Sequence, residues 1–354
     1  MPDLVVAGAG MAGLVAAAEA RRLGAEPLVL EKLDQAGGSM RLSSGVIWRH
    51  REFDRFRGEC PGGDERLQRK LFERLDGDLR WLEELGAPVT ARETGNPLTT
   101  GVRFDPTAMT EALLTAAGRI LFRRPLADLS DDKPLVLATG GFAASRNLLR
   151  AHVTPEAAHV LLRTAPGNTG DGLRLAVEAG GVAGRGLDQV YARVMPAPPA
   201  RVAPADFVRL SQLYARHADV SNDQGERFKA ETWSEIDVGQ WAARQPRARA
   251  WLRVPVASLG QRVRDRTVGE MIDAAARAGA PVRREAEHVT VETVAGVTTT
   301  LGGVKVDEDA RASRSVFACG ADVGGIATGG YASGLAAALV FGRIAARAAL
   351  GEAP

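Results

Sequence analysis

"VVAGAGMAGLVAAAEA", residues 5–20, decides the fold. A short apolar run enters a glycine loop, and an alanine-rich run with high helix propensity leaves it. The loop reads Gly8-x-Gly10-x-x-Gly13. Gly8 allows a tight turn out of a strand, Gly10 lets backbone approach a pyrophosphate, and Gly13 lets the next helix pack close on the sheet. The spacing predicts a helix from Met11 to about Leu23, with its N-terminal N–H groups and positive dipole end facing that phosphate. A second strand, "EPLVLEK", follows, and Glu31 stands at its end. A carboxylate there accepts from both ribose hydroxyls and repels a 2′-phosphate. Strand, loop, helix, strand and acid in this order read as a dinucleotide-binding unit. The order alone does not separate NAD from FAD.

Three further stretches bear on that choice. "GGSMRLSSGVIW" (37–48) follows the second strand and is rich in small residues, as needed where backbone passes a flat ring system. "PLVLATGGFAAS" (134–145) reads as a buried strand ending in Thr139-Gly140-Gly141. "VFACGADVGG" (316–325) reads as another, ending in glycine and Asp322. After it comes "GGYASGLAAALVFGRIAARAA", whose helix is expected to begin near Ser333–Leu335. That helix would turn the positive end of its dipole toward the bound cofactor.

The bulk composition narrows the partners. At 354 residues the chain has room for about two domains, and 45% hydrophobic with 25% charged residues describes an ordinary globular core. The net charge of +2 argues against nucleic-acid or membrane binding. Cys60 and Cys319 stand far apart with no CxxC, which excludes iron–sulfur, attached haem and zinc-finger sites. No basic leader precedes the first strand, and "LAAALVFGRIAARAAL" (335–350) is too short to span a bilayer and is interrupted by Arg343 and Arg347. A cytoplasmic protein is expected.

Taken together and in order, the four glycine-rich blocks resemble the flavoproteins of the fumarate reductase, succinate dehydrogenase and 3-ketosteroid dehydrogenase superfamily. "APGNTGDGLRLAVEAGG" (165–181) and "VTTTLGGVKVDEDARA" (297–312) match stretches that line the flavin face there. The resemblance implies an α/β fold: a Rossmann-like FAD-binding domain built from both chain ends (1–185 and 287–354), with an inserted smaller α+β cap domain (186–286). It implies FAD contacts from Gly8, Ala9, Gly10, Met11, Ala12 and Gly13, then from Glu31 and Lys32. Gly38, Ser39, Met40, Ser44 and Gly45 form the next group. Leu126, Thr139, Gly140 and Asp171 follow, then Gly320, Asp322, Ser333, Gly334 and Leu335. No histidine stands after Gly37-Gly38 where relatives with attached flavin carry one, so the FAD is expected to be non-covalent.

Elsewhere the pattern is simpler. Leu67, Leu71, Leu75, Leu79 and Leu82 form one stripe of a helix over 64–86, with a break expected near Gly77. A second helix over 105–118 takes Asp105 or Thr107 as its cap. Only "RILFRRPLADLSDD" (119–132) fills a space that holds several strands in the resembled family, which implies a trimmed scaffold.

For chemistry, the resemblance implies hydride transfer between flavin and a substrate carbon, with one proton handled by the protein. Fumarate-type members hold substrate carboxylates with histidines and arginines. Here Thr300 stands where one such histidine is found, "GGYASGL" has no arginine, and 189–195 read "QVYARVM". A dicarboxylate is therefore not the expected substrate, and a ketosteroid- or tricarballylate-dehydrogenase-like desaturation next to a carbonyl or carboxyl group is. Tyrosine suits the proton. Tyr331 lies beside the expected flavin pocket, Tyr191 is a second candidate, and Glu231 matches a proton-relay carboxylate, although Ser234 replaces its arginine partner. No second GxGxxG is visible, so electrons would pass to or from an external partner. A flavin oxidase or monooxygenase, and a non-catalytic flavin-binding homologue, are the alternatives.

Overall fold

The computed structural model describes residues 2–126, 133–229 and 236–353. Among them the chain forms two compact units: Met1–Ser145 with Ala165–Gln189 and Thr299–Pro354, and Arg146–Thr164 with Val190–Thr298. The second unit is wider than the 186–286 stretch marked by the change of sequence character, because Arg146–Thr164 and the residues up to Thr298 fold with it.

In the first unit, the apolar run that opens the chain becomes β1 (Leu4–Ala7), with Leu4, Val6 and Ala7 buried. It pairs in parallel with β2 (Pro27–Glu31) on one side and β7 (Leu135–Leu137) on the other. β6 (Ile120–Phe122) extends the sheet beyond β2, and β17 (Val316–Ala318) extends it beyond β7, giving the order β17-β7-β1-β2-β6. Both ends of the chain thus meet in one parallel sheet. Helix α1 (Met11–Arg22) and helix α9 (Gly334–Ala349) pack together through alanine and glycine faces. Glu19 is fully buried there, and Arg22, Arg343 and Arg347 all pair with its carboxylate.

An antiparallel trio, β3 (Val46–His50), β5 (Thr99–Phe104) and β4 (Val89–Ala91), sits beside two helices, α2 (Phe53–Glu59) and α3 (Glu65–Glu84). Helix α3 buries Leu67, Leu71, Leu75, Leu79 and Leu82 as the stripe predicts. The break expected near Gly77 is absent. A Cβ at Gly77 would meet only the Arg80 side chain, at 3.8 Å, and the leucine stripe carries the helix on through it. Helix α4 (Pro106–Ala117) is capped by Asp105, which accepts from the Ala108 N–H at 2.8 Å. Helix α6 (Asp171–Glu178) completes this unit.

The second unit is α+β. Its spine is β16 (His288–Thr300), whose Val289, Val291, Val294 and Val297 are buried. One sheet runs β11 (Arg227–Phe228), β10 (Asp219–Ser221), β12 (Arg249–Pro255), β16 and β15 (Val282–Arg284). β8 (Leu161–Leu162) and β9 (Val190–Pro196) also pair with β16. Around them lie α5 (Arg146–His152), α7 (Ile236–Ala242), the hairpin β13 (Arg262–Val263) and β14 (Arg266–Thr267), and α8 (Val268–Arg277). Helix α8 opens with a capping box between Thr267 and Glu270. Among the described residues no helix is long and apolar enough to cross a membrane.

Candidate functional site

The glycine loop turns as its spacing requires. Gly8 adopts φ +106, and a side chain on it would run into the Ala138 carbonyl at the end of the neighbouring strand. A side chain on Gly13 would collide with the Gly8 carbonyl, so only glycine lets α1 sit this close. Gly10 faces open space, with nothing within 4 Å of where a Cβ would lie. Ala9, Met11 and Ala12 are buried beneath it. Glu31 is nearly buried, and its two oxygens accept the Ala9 N–H at 2.7 Å and the Leu33 N–H at 2.8 Å. Each oxygen keeps a lone pair for a ribose hydroxyl. Lys32 pairs with Asp171 at 2.5 Å and donates to Thr169, tying the end of β2 to the start of α6. Leu126 lies half-buried just beyond β6, near the Arg124 N–H that bonds the Glu31 carbonyl.

The small-residue block docks directly on this loop. The Gly37 N–H donates to the Ala9 carbonyl at 2.8 Å, which brings Gly38 beside Gly10. Ser39 accepts from the Ala165 N–H and from the Asn168 amide, both at 3.0 Å. Met40 is buried and Ser44 is exposed. A side chain on Gly45 would run into the Phe104 carbonyl of β5. Asn168 stands inside the 165–181 stretch that the resemblance marks, but its bond to Ser39 is not legible there.

Asp322 is the hinge of the two halves of the cradle. Buried to 1% exposure, it accepts from the Thr139 N–H, the Thr139 hydroxyl at 3.0 Å and the Gly141 N–H at 2.9 Å. Burial drives its pKa up, and those three hydrogen bonds only partly offset this. It joins the ends of β17 and β7. Gly140 lies against Asn168 in the same loop. Gly320 brings the β17 turn onto Ala12.

Helix α9 begins at Gly334, with the buried Ser333 as cap accepting from the Ala336 N–H at 3.2 Å. Gly334 and Leu335 are half-buried at its positive end. Tyr331 sits just ahead: its hydroxyl accepts from the Gly334 N–H at 3.4 Å, and its ring meets Trp48 edge-on at 5.9 Å.

In the second unit, Tyr191 receives a hydrogen bond from Arg193 Nε at 2.9 Å, and the same guanidinium lies 5.3 Å from its ring centre. Burial opposes ionisation of this phenol, but Arg193, Arg163 and Arg264 outweigh it and draw the pKa down to about 8. Arg163 and Arg193 are both buried, and Arg163 is held by Thr298 at 2.8 Å and by the Phe207 carbonyl at 3.2 Å. The sequence shows arginines scattered along the chain; pairing of β8 and β9 with β16 is what gathers these around one tyrosine. Glu231 lies outside the described residues.

The first unit's arrangement fits FAD: an open glycine face at a helix N-terminus, a carboxylate with spare lone pairs beside it, and a second helix N-terminus at Gly334. A family model described as FAD binding domain matches residues 3–119 and 126–335. A search of curated protein sequences yields no match. The chain is similar in structure to the open conformation of a flavocytochrome c3 fumarate reductase, at 20% identity and a TM-score of 0.73, covering 99% of this chain and 78% of that one. It is also similar to 3-ketosteroid-Δ4-(5α)-dehydrogenase from Rhodococcus jostii, at 19% identity and a TM-score of 0.73, covering 99% and 96%. A third similar structure is 3-ketosteroid Δ1-dehydrogenase from Sterolibacterium denitrificans, at 17% identity and a TM-score of 0.71, covering 99% of each chain.

Proposed function

Because the chain belongs to the family of the FAD binding domain, we propose that it is a dehydrogenase or reductase acting on a C–C bond next to a carbonyl or carboxyl group. FAD is its cofactor and it is an oxidoreductase. The bound FAD supplies two-electron exchange with a substrate carbon. Gly8–Gly13, Glu31, Ser39 and the N-terminus of α9 hold it, without a covalent bond. The observation that carries the reading is the glycine-lined cradle of the first unit with the N-terminus of α9 beside it; the proton carrier we propose is Tyr191, hydrogen-bonded by Arg193. A phenol drawn down to about 8 can both give and take a proton near neutrality, and Arg193 Nε stabilises the oxygen when the proton has left. Tyr331, with its hydroxyl on the first turn of α9, orients a substrate oxygen. The substrate is a small, rather apolar carbonyl or monocarboxylate compound, and electrons pass to or from an external partner.

The test is anaerobic mixing of the yellow holoprotein with saturated ketones and carboxylates, and of its photoreduced form with their unsaturated counterparts. Change of the flavin's visible absorbance with one class, turnover with dye or quinone acceptors, and slow reaction with oxygen are expected. Rapid peroxide release would replace this reading with an oxidase. A flavin inert to all of them would leave a binding protein.

A further inference from the structure

The segment Gly325–Tyr331, which leads into α9, is gripped from outside the cradle. Its backbone is pinned at several points by the turn between α2 and α3. The Asp64 N–H donates to the Gly325 carbonyl at 2.7 Å, and the Gly62 N–H to the Thr328 carbonyl at 3.0 Å. The Tyr331 N–H donates to the Cys60 thiol, whose pKa burial and Glu59 push up to about 12, so it stays a neutral acceptor. In the middle of this seam lies one side chain, Gln68 of α3, with no exposed surface at all. Its amide nitrogen donates both protons, to the Cys60 carbonyl at 2.9 Å and to the Ile326 carbonyl at 2.8 Å. Its amide oxygen accepts from Arg57. A side chain on Gly63 would run into that amide, so the turn is built around it. A buried carboxamide with both polar atoms bonded is costly to assemble and exact in its geometry. The cation on its oxygen strengthens both N–H donors.

We propose that Gln68 is a positioning residue for the flavin site: by holding Ile326 it sets the Gly325–Tyr331 segment, and with it Tyr331 and the N-terminus of α9, against the bound FAD. The proposal rests on the reading that this end of α9 faces the flavin. A packing residue would affect only stability. A positioning residue also alters the field that the flavin feels, because a helix N-terminus acts within about one turn of its end.

The experiment uses full-length, FAD-loaded protein in four forms: wild type, Gln68→Met, Gln68→Glu and Tyr331→Phe. Gln68→Met keeps the volume and removes all three hydrogen bonds. Gln68→Glu keeps the Arg57 contact and turns the donors toward Ile326 and Cys60 into an acceptor. The readouts are the visible circular dichroism of the flavin and its midpoint potential. Both Gln68 variants are expected to retain FAD and to change the oxidised-to-reduced ratio at a fixed potential by about tenfold, ~30 mV for a two-electron couple. Tyr331→Phe should alter the dichroism as well. If Tyr331→Phe alters the flavin signals and neither Gln68 variant does, Gln68 is packing alone and the proposal fails. If none of the three moves them, the placing of α9's end at the flavin fails, and the proposal with it. Should Gln68→Met not fold, Arg57→Met tests the same seam with Gln68 in place; a shift in the same direction supports the proposal and an unchanged potential overturns it.

Discussion

His50, at the end of β3, is a buried imidazole stacked on Phe56 at 5.4 Å, and neither ring nitrogen has a hydrogen-bond partner among the described residues. Burial first, and the Arg55 charge second, lower its pKa to about 4. The unfolded chain takes up this proton near pH 6.5 and the folded chain does not, so stability falls as the pH drops from about 6.5 to about 4. His50→Phe should flatten that part of a melting-temperature profile; an unchanged slope would place the titration elsewhere. Tyr191 works in the opposite range. Its folded value near 8 lies below the ordinary 10, so ionisation favours the fold: the gain is complete above about pH 10 and is lost as pH falls through about 8. Ultraviolet titration should show one tyrosine ionising near pH 8 that disappears in Tyr191→Phe and moves upward in Arg193→Leu. Of these features the sequence carries the tyrosine and not its acidity. Arg193 is its neighbour on β9, two positions on, but Arg163 comes beside it only because β8 and β9 both pair with β16, and Arg264 comes from the β13–β14 hairpin.

Between helices, the decisive contact is the buried charge shared by α1, α3 and α9. Burial raises the pKa of Glu19, and Arg22, Arg343 and Arg347 overcome that and bring it to about 2. Against an ordinary 4.5, this contribution is full above pH 4.5 and is lost as pH falls toward 2. Arg343 also bonds Asp78 of α3, so one side chain ties three helices. Glu19→Gln leaves the arginines without their common anion and should cost about 3–5 kcal/mol in denaturant unfolding at pH 7. At the other end of α1, Gly13→Ala drives a methyl group into the Gly8 carbonyl. It should cost about 1–3 kcal/mol and yield protein that purifies without its yellow colour. The sequence reveals the second of these and not the first. A glycine loop is a local signal, while Glu19 reads as one more polar position on an alanine-rich helix until α9 supplies its arginines. Gln68 stands on the leucine face of its helix, seven positions before Leu75, and nothing local tells that its amide is bonded to Cys60 and Ile326.

At the scale of the molecule, FAD binds the folded chain and not the unfolded one. At about a hundred times its dissociation constant it should add ~2.7 kcal/mol and raise the melting temperature. FMN, which lacks the adenylate half of FAD, should raise it less at the same concentration. Acid precipitation should release the FAD into the supernatant, and colour retained in the pellet would mean a covalent bond. Strands β1, β2, β7 and β17, the α9 start and the turn of the glycine loop were legible because each rests on a short run with its own glycine or cap. The second unit was legible only as a change of composition, because its sheet is assembled around β16 from segments scattered along the chain. The strand order carries a final consequence for biosynthesis. β17 must slot beside β7, and β7 lies beside β1, so the nascent chain cannot close its nucleotide cradle until the ribosome has passed residue 318 and released α9. Cofactor loading is thereby deferred until α9 has emerged, and a product terminated before Gly334 should emerge colourless.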